Sequence, residues 1–205
     1  MSAAALLRAM RPHQWTKNLF VLAALVFAAG DSRAGEGLTR AHGLAALCAF
    51  LAFCLASSAV YLLNDIVDVE KDRAHPEKRH RPIASGALAI PVARLASATA
   101  FAAALALAWS AAGGRTTALI VLAYGLLNVL YSLRLKRIVL VDAFCIASGF
   151  LLRLAAGGHA AEAEVSRWAF LCTLFLALFL ALNKRRAELA LLGDGGVASS
   201  VRVVF

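Results

Sequence analysis

The chain has 205 residues, 61% of them hydrophobic and 16% charged, with a mean hydropathy of +0.76. Soluble domains hold about 45–50% apolar residues, so this composition excludes an ordinary soluble fold and describes an integral membrane protein. The formal charge of +9 would suggest nucleic acid in a soluble chain, but in a membrane protein the placement of basic residues decides, and no nucleic-acid partner is expected.

In chain order, the sequence predicts six apolar spans at about 15–30, 44–66, 90–112, 116–133, 139–156 and 168–182. Each comes near the ~20 residues that cross a hydrocarbon core. Arg8 and Arg11 precede the first, but no clean cleavage site follows Ala28 and Ala29, so it reads as a retained helix rather than a signal peptide. Ala/Leu richness without period-2 alternation favours helices over barrel strands. The expected fold class is all-α, a polytopic transmembrane helical bundle over 1–192 with a tail at 193–205 and no soluble domain.

Basic residues alternate between the connections. Arg8, Arg11 and Lys17 precede the first span; Lys71, Arg73, Lys78, Arg79 and Arg81 follow the second; Arg134, Lys136 and Arg137 follow the fourth; Lys184, Arg185 and Arg186 follow the sixth. The positive-inside rule then places both termini and the segment after the second span in the cytoplasm of an inner or plasma membrane protein. Trp15 is expected in the interfacial aromatic belt, and Arg153, near the outer end of the fifth span, is expected to snorkel. The glycine pairs in "AAGGR" and "RLAAGGHA" read as helix ends. Cys48, Cys54, Cys145 and Cys172 lie in apolar runs without C-x-x-C spacing, so disulfide and zinc readings find no support.

The chemistry concentrates in "YLLNDIVDVEKDRAHPEKRHRPIASG", residues 61–86. If the second span continues helically, Asn64, Asp68 and Asp72 fall at i, i+4 and i+8 on one face, with Asp65 beside them. Carboxylates that close repel unless a cation stands between them, and a hard divalent ion with oxygen ligands, Mg²⁺, fits. The following Lys78, Arg79 and Arg81 suit the oxygens of a metal-bound diphosphate. A mixed-charge interfacial loop explains either half alone; the two halves together point to phosphate chemistry.

"NDIVDVEKD" resembles the N-D-x-x-D-x-x-x-D motif of the UbiA superfamily of intramembrane prenyltransferases. "RPHQWTKN", "YSLRLKRIVLVD", "GFLLRLAAGG" and "LNKRRAEL" extend the resemblance to the decaprenyl-phosphate phosphoribosyltransferase branch, from Arg11 to about Leu192. The resemblance implies nine helices around a central cavity and Mg²⁺ on Asn64, Asp65, Asp68 and Asp72, with Asp65 and Asp68 as the leading ligands. It implies phosphoribosyl diphosphate as donor and a polyprenyl (decaprenyl) phosphate as acceptor, for cell-envelope polysaccharide synthesis. Lys78, Arg79 and Arg81 then contact phosphate. Tyr131 and Lys136 stand for a Tyr/Lys motif whose spacing here is one residue longer than usual. Lys184, Arg185 and Glu188 occupy the position of a second acidic motif, and Lys17 and Asn18 are candidates for the acceptor phosphate.

The chain has room for six helices against nine, so a truncated or atypical C-terminal region is the expectation. The alternatives are a conventional prenyltransferase with a prenyl diphosphate donor and an aromatic or other acceptor, and a truncated non-catalytic membrane protein. The first calls for a cluster of several Asp after the sixth span, which is not found: "KRRAEL" holds one acid, Glu188. A transporter keeps its ionisable groups near mid-membrane, whereas these acids lie at one face. Prenyl chain length and oligomeric state leave no signature in the sequence.

Overall fold

A computed structural model of the chain describes residues 3–30, 38–111, 113–135 and 138–194. Its elements are helices throughout: α1 (Ala3–Met10), a 3₁₀ segment (Pro12–Leu19), α2 (Phe20–Gly30), α3 (Arg40–Val67), α4 (Val69–Ala74), a 3₁₀ turn (Lys78–His80), α5 (Ile90–Ser110), α6 (Gly114–Leu133), α7 (Val139–Ala160) and α8 (Arg167–Asp194). The all-α expectation holds among the described residues. Among the described residues four helices, α3, α5, α6 and α7, are long and apolar enough to cross a membrane, and α8 carries a shorter apolar stretch, Arg167–Asn183.

The expected first span differs most. Residues 15–30 do not form one helix: Pro12 opens a 3₁₀ run that lasts to Leu19, and α2 adds only 11 residues, about 16 Å of rise. The polar sequence His13 to Asn18 explains this, because Trp15 and Asn18 bond to side chains of α3. Trp15, expected in the interfacial belt, is half-buried, and its indole N–H donates to Ser58 Oγ at 3.0 Å.

α3 is the central post, against which α1, α2, α5, α6 and α7 all pack. Ala45, Ala46, Ala49, Ala52, Ala56 and Ala59 are buried along it. Between membrane helices small side chains let backbones approach, which is the packing that operates when water supplies no driving force. Phe53, also buried, meets Tyr124 of α6 with ring centroids 5.2 Å apart. α8 packs on α7.

The glycine pairs divide. Gly113, at φ 74, makes the left-handed start of α6, as expected of a helix end. Gly157 and Gly158 instead lie inside α7, which runs on to Ala160. A Cβ on Gly157 would stand 1.7 Å from the Val21 carbonyl oxygen, so α2 rests directly on the α7 backbone. Gly157→Ala is expected to destabilise the bundle by about 1–3 kcal/mol, the usual cost of overpacking where backbone cannot yield. A melting curve in detergent that superposes on that of the native protein would refute this contact.

Beside the end of α3, α1 folds back over the 81–88 loop. Ala5 and Ala9 of α1 bury Ile83 and Leu88 against Leu62 and Ala93. Leu88 N–H donates to Pro82 O at 2.8 Å, and Arg73 Nε donates to Ala84 O at 3.3 Å. This apolar pin fixes the loop, and with it Arg81.

Candidate active site

α3 ends at the acidic motif. It breaks at Asp68 (φ −95, ψ 9), yet Asp68 N–H still donates to Asn64 O at 2.9 Å and Asp72 N–H to Asp68 O at 2.8 Å. The one-face spacing read from the sequence thus survives the break, with Asp68 in the sparsely populated bridge region of backbone space. Asp65 and Asp72 are buried, 2% and 3% exposed.

Two arginines meet these acids. Arg81 Nη1 donates to Asp72 Oδ2 at 2.8 Å and to Asp65 Oδ1 at 3.2 Å, so one nitrogen links α3 to α4. Arg11 Nη2 donates to the same Asp65 Oδ1 at 2.6 Å, and its guanidinium lies 5.0 Å from the centroid of the Tyr61 ring. Arg11 adopts a left-handed backbone, φ 53, which costs about 1–2 kcal/mol for a residue with a Cβ. That turn carries the chain from α1 into the 3₁₀ run and brings the guanidinium to Asp65.

Asp65 Oδ2 is buried and has no hydrogen-bond partner among the described residues. An ionised carboxylate oxygen left that way is expensive unless a cation completes it. Together with the hard oxygen donors of Asn64, Asp68 and Asp72, it suits Mg²⁺. Among the described residues no three carboxylates, imidazoles or thiols already form a metal cage; Arg11 and Arg81 hold Asp65 Oδ1 and Asp72 Oδ2.

The remaining candidates separate into groups. Asn64 Oδ1 accepts a hydrogen bond from Ser132 Oγ of α6. Tyr131, next to Ser132, donates through its hydroxyl to Asp142 Oδ1 of α7 at 2.8 Å. Lys78 and Arg79 are exposed in the 3₁₀ turn that leads to Arg81. A cavity of about 330 Å³ opens between the 3₁₀ run, α6, α7 and α8; Lys17, Asn128 and Tyr131 are its polar wall, and Leu127, Phe150 and Leu180 part of its apolar one. Asn18 does not face it with Lys17: it is wholly buried, donating to Ser57 Oγ and Cys54 Sγ and accepting from Arg153 Nε at 2.8 Å. Lys136 and the side chains of Lys184, Arg185 and Glu188 lie outside the described residues.

Four residues escaped the sequence reading. Arg11 counted only as topology; its position seven residues before Asn18 gave no sign that it reaches Asp65. Ser132 and Asp142 lie in "YSLRLKRIVLVD", and an acid one turn into an apolar helix was the signal for Asp142. Arg153 was expected to snorkel, but it is 6% exposed and bonded inside the bundle to Asn18, Gly149 and Tyr124.

The sequence profile of the UbiA prenyltransferase family matches residues 17–185. A protein of Corynebacterium glutamicum called decaprenyl-phosphate phosphoribosyltransferase is 39% identical over 186 residues, 91% of this chain and 55% of that protein. The protein of the same name from Mycobacterium tuberculosis is 40% identical over 200 residues, 95% of this chain and 63% of its own length. This chain therefore spans less than two thirds of the curated relatives it matches. A UbiA homolog from Archaeoglobus fulgidus, solved bound to DMAPP and Mg²⁺, has a TM-score of 0.69 and 23% identity, covering 84% of this chain and 60% of that one; at that identity the likeness is one of fold.

Proposed function

Because the chain belongs to the UbiA prenyltransferase family, a family of integral membrane transferases, we propose that it moves 5-phosphoribose from phosphoribosyl diphosphate to a polyprenyl (decaprenyl) phosphate in cell-envelope polysaccharide synthesis. The observation that carries this reading is a buried carboxylate oxygen, Asp65 Oδ2, without a partner among the described residues, on a side chain whose other oxygen meets Arg11 and Arg81. The donor and acceptor rest on the names of the relatives.

Transfer breaks the bond between ribose C1 and the diphosphate oxygen, and charge gathers on the departing diphosphate as the ribose becomes oxocarbenium-like. Lys78, Arg79 and Arg81 meet that charge where it develops. Mg²⁺, held by Asn64, Asp65, Asp68 and Asp72, supplies further neutralisation of the diphosphate when bound. The acceptor is a phosphate monoester with a second pKa near 6, so at neutral pH its oxygen is already an anion and needs no general base. This agrees with a site whose acids bind cations. Lys17 contacts the acceptor phosphate at the cavity, whose apolar wall takes the first isoprene units. Tyr131, bonded to Asp142, contacts the substrate from the cavity wall, and Lys136, Lys184, Arg185 and Glu188 add to the phosphate contacts. Both termini and the motif face the cytoplasm, where a water-soluble donor is available.

Membranes carrying the chain, given Mg²⁺ and decaprenyl phosphate, are expected to move label from ribose-labelled phosphoribosyl diphosphate into lipid, and Asp68→Asn is expected to abolish it. Label entering an aromatic or other acceptor from a prenyl diphosphate instead would make the chain a conventional prenyltransferase. Label from neither donor would refute transfer by this chain alone.

A further inference from the structure

Arg153 stands in α7, 11 residues beyond Asp142 in the sequence and so about 16 Å further along the helix. A charge there is costly unless the protein holds it, and such residues are retained for a reason. Its Nε donates to Asn18 Oδ1 at 2.8 Å, its Nη1 to Gly149 O at 2.8 Å and its Nη2 to the Tyr124 hydroxyl at 3.1 Å. The rings of Tyr124, Phe150 and Phe53 lie 4.8, 5.5 and 5.7 Å from its Cζ. Among the described residues it has no carboxylate partner, so neutral oxygens and aromatic faces hold the charge.

Its partner Asn18 lies near the inner end of the 3₁₀ run. A run of eight residues exceeds what 3₁₀ geometry sustains unaided, since stretches beyond about 3–4 residues are uncommon. Side-chain ties give it shape: Arg11, just before its first residue, on Asp65; Trp15 on Ser58; Asn18 on Ser57 and Arg153. Lys17 projects from the same run into the 330 Å³ cavity.

We propose that Arg153 is a positioning residue: by holding Asn18 it makes the 3₁₀ run a strut, which sets Lys17 at the cavity for an anionic lipid headgroup and keeps Arg11 on Asp65. The strut joins a point deep in the bundle to the acidic site. This deepens the reading of the cavity as the acceptor site and rests on it for the identity of the lipid.

Trp15 reads the strut without turnover. Trp109 and Trp168 are 63% and 76% exposed, so replacing both with Phe leaves Trp15 as the sole indole among the chain's 3 tryptophans. In that background Arg153→Met is expected to raise acrylamide quenching of Trp15 at least about twofold and to shift its emission. Arg153→Lys, which keeps the charge but not the guanidinium fork that reaches Asn18 and Tyr124 together, is expected to behave the same way. Asn18→Ala is expected to match them, and the double variant Arg153→Met/Asn18→Ala to add nothing further, as for residues acting through one contact. With decaprenyl phosphate as the varied substrate, Arg153→Met is expected to raise KM about tenfold with kcat within about threefold, the pattern of lost acceptor binding.

Unchanged Trp15 quenching in folded Arg153→Met overturns the proposal, as does full recovery in Arg153→Lys, which would mean charge alone matters. If Arg153→Met fails to fold, Asn18→Ala decides by the same quenching measurement. A changed Trp15 signal in a chain that transfers no label leaves the strut standing and removes only the transferase reading.

Discussion

Asp65→Asn is expected to lower Mg²⁺-dependent binding of phosphoribosyl diphosphate at least about 100-fold. Two guanidinium groups converge on Asp65 Oδ1, and its other oxygen is buried and has no partner among the described residues. The amide keeps the shape and removes the charge, so Arg11 and Arg81 would face each other across a neutral oxygen while any cation at Oδ2 loses its anionic ligand. Removing one partner of a buried ion pair costs about 3–5 kcal/mol. Here the lower end applies, because the Arg11 and Arg81 side chains are 23% and 30% exposed and water takes up part of the released charge. The left-handed turn at Arg11 would lose its main tie, so faster amide exchange across 8–14 should accompany the binding defect. Calorimetric titration with the donor and Mg²⁺ measures the first effect; binding retained within about threefold would remove Asp65 from the metal site.

Arg81→Gln should separate two affinities that a simple loss of structure would lower together. The Arg81 Nη1 atom serves Asp65 and Asp72 at once. Without that positive charge the two carboxylates attract a cation more strongly, and Mg²⁺ alone is expected to bind about tenfold tighter, equivalent to about 1.4 kcal/mol. The diphosphate loses a guanidinium partner, and donor binding at saturating Mg²⁺ is expected to weaken about 30-fold, within the about 2–5 kcal/mol seen on truncating a charged partner. Mn²⁺ binding followed by electron paramagnetic resonance gives the first number and donor calorimetry the second. A fall in both would make Arg81 only a structural link between α3 and α4.

Composition and spacing carried the helical class, the ends of α3, α5 and α6 to within a few residues, and the facing of Asn64, Asp68 and Asp72, because these depend on hydropathy and helical period alone. The first span could not be read that way. Residues 15–30 are polar at one end and apolar at the other, and the hydroxyls of Ser57 and Ser58, some 40 positions later, are among the distant partners that hold the polar part as 3₁₀. Arg153 misled for the same reason: a guanidinium near a helix end can reach water or a neighbour, and Asn18 decides which. Arg81 was singled out for phosphate, but its present ties to Asp65 and Asp72 need the loop that Ile83 and Leu88 pin beneath α1. Local pattern placed the acids; partners distant in sequence placed the arginines.

The bond between Asn18 and Arg153 spans 135 positions of the chain. At about 5–20 residues per second, synthesis separates the two residues by roughly 7–27 s. During that time the polar 3₁₀ run has left the ribosome without its deepest partner, while α3, which offers Ser57 and Ser58, is already made. The first hydrophilic stretch to be synthesised is thus among the last to be seated. α7 brings Arg153 to Asn18 and Phe150 to one wall of the cavity, and α8 brings Leu180 to another, so the cavity beside Lys17 is complete only after both helices are in place.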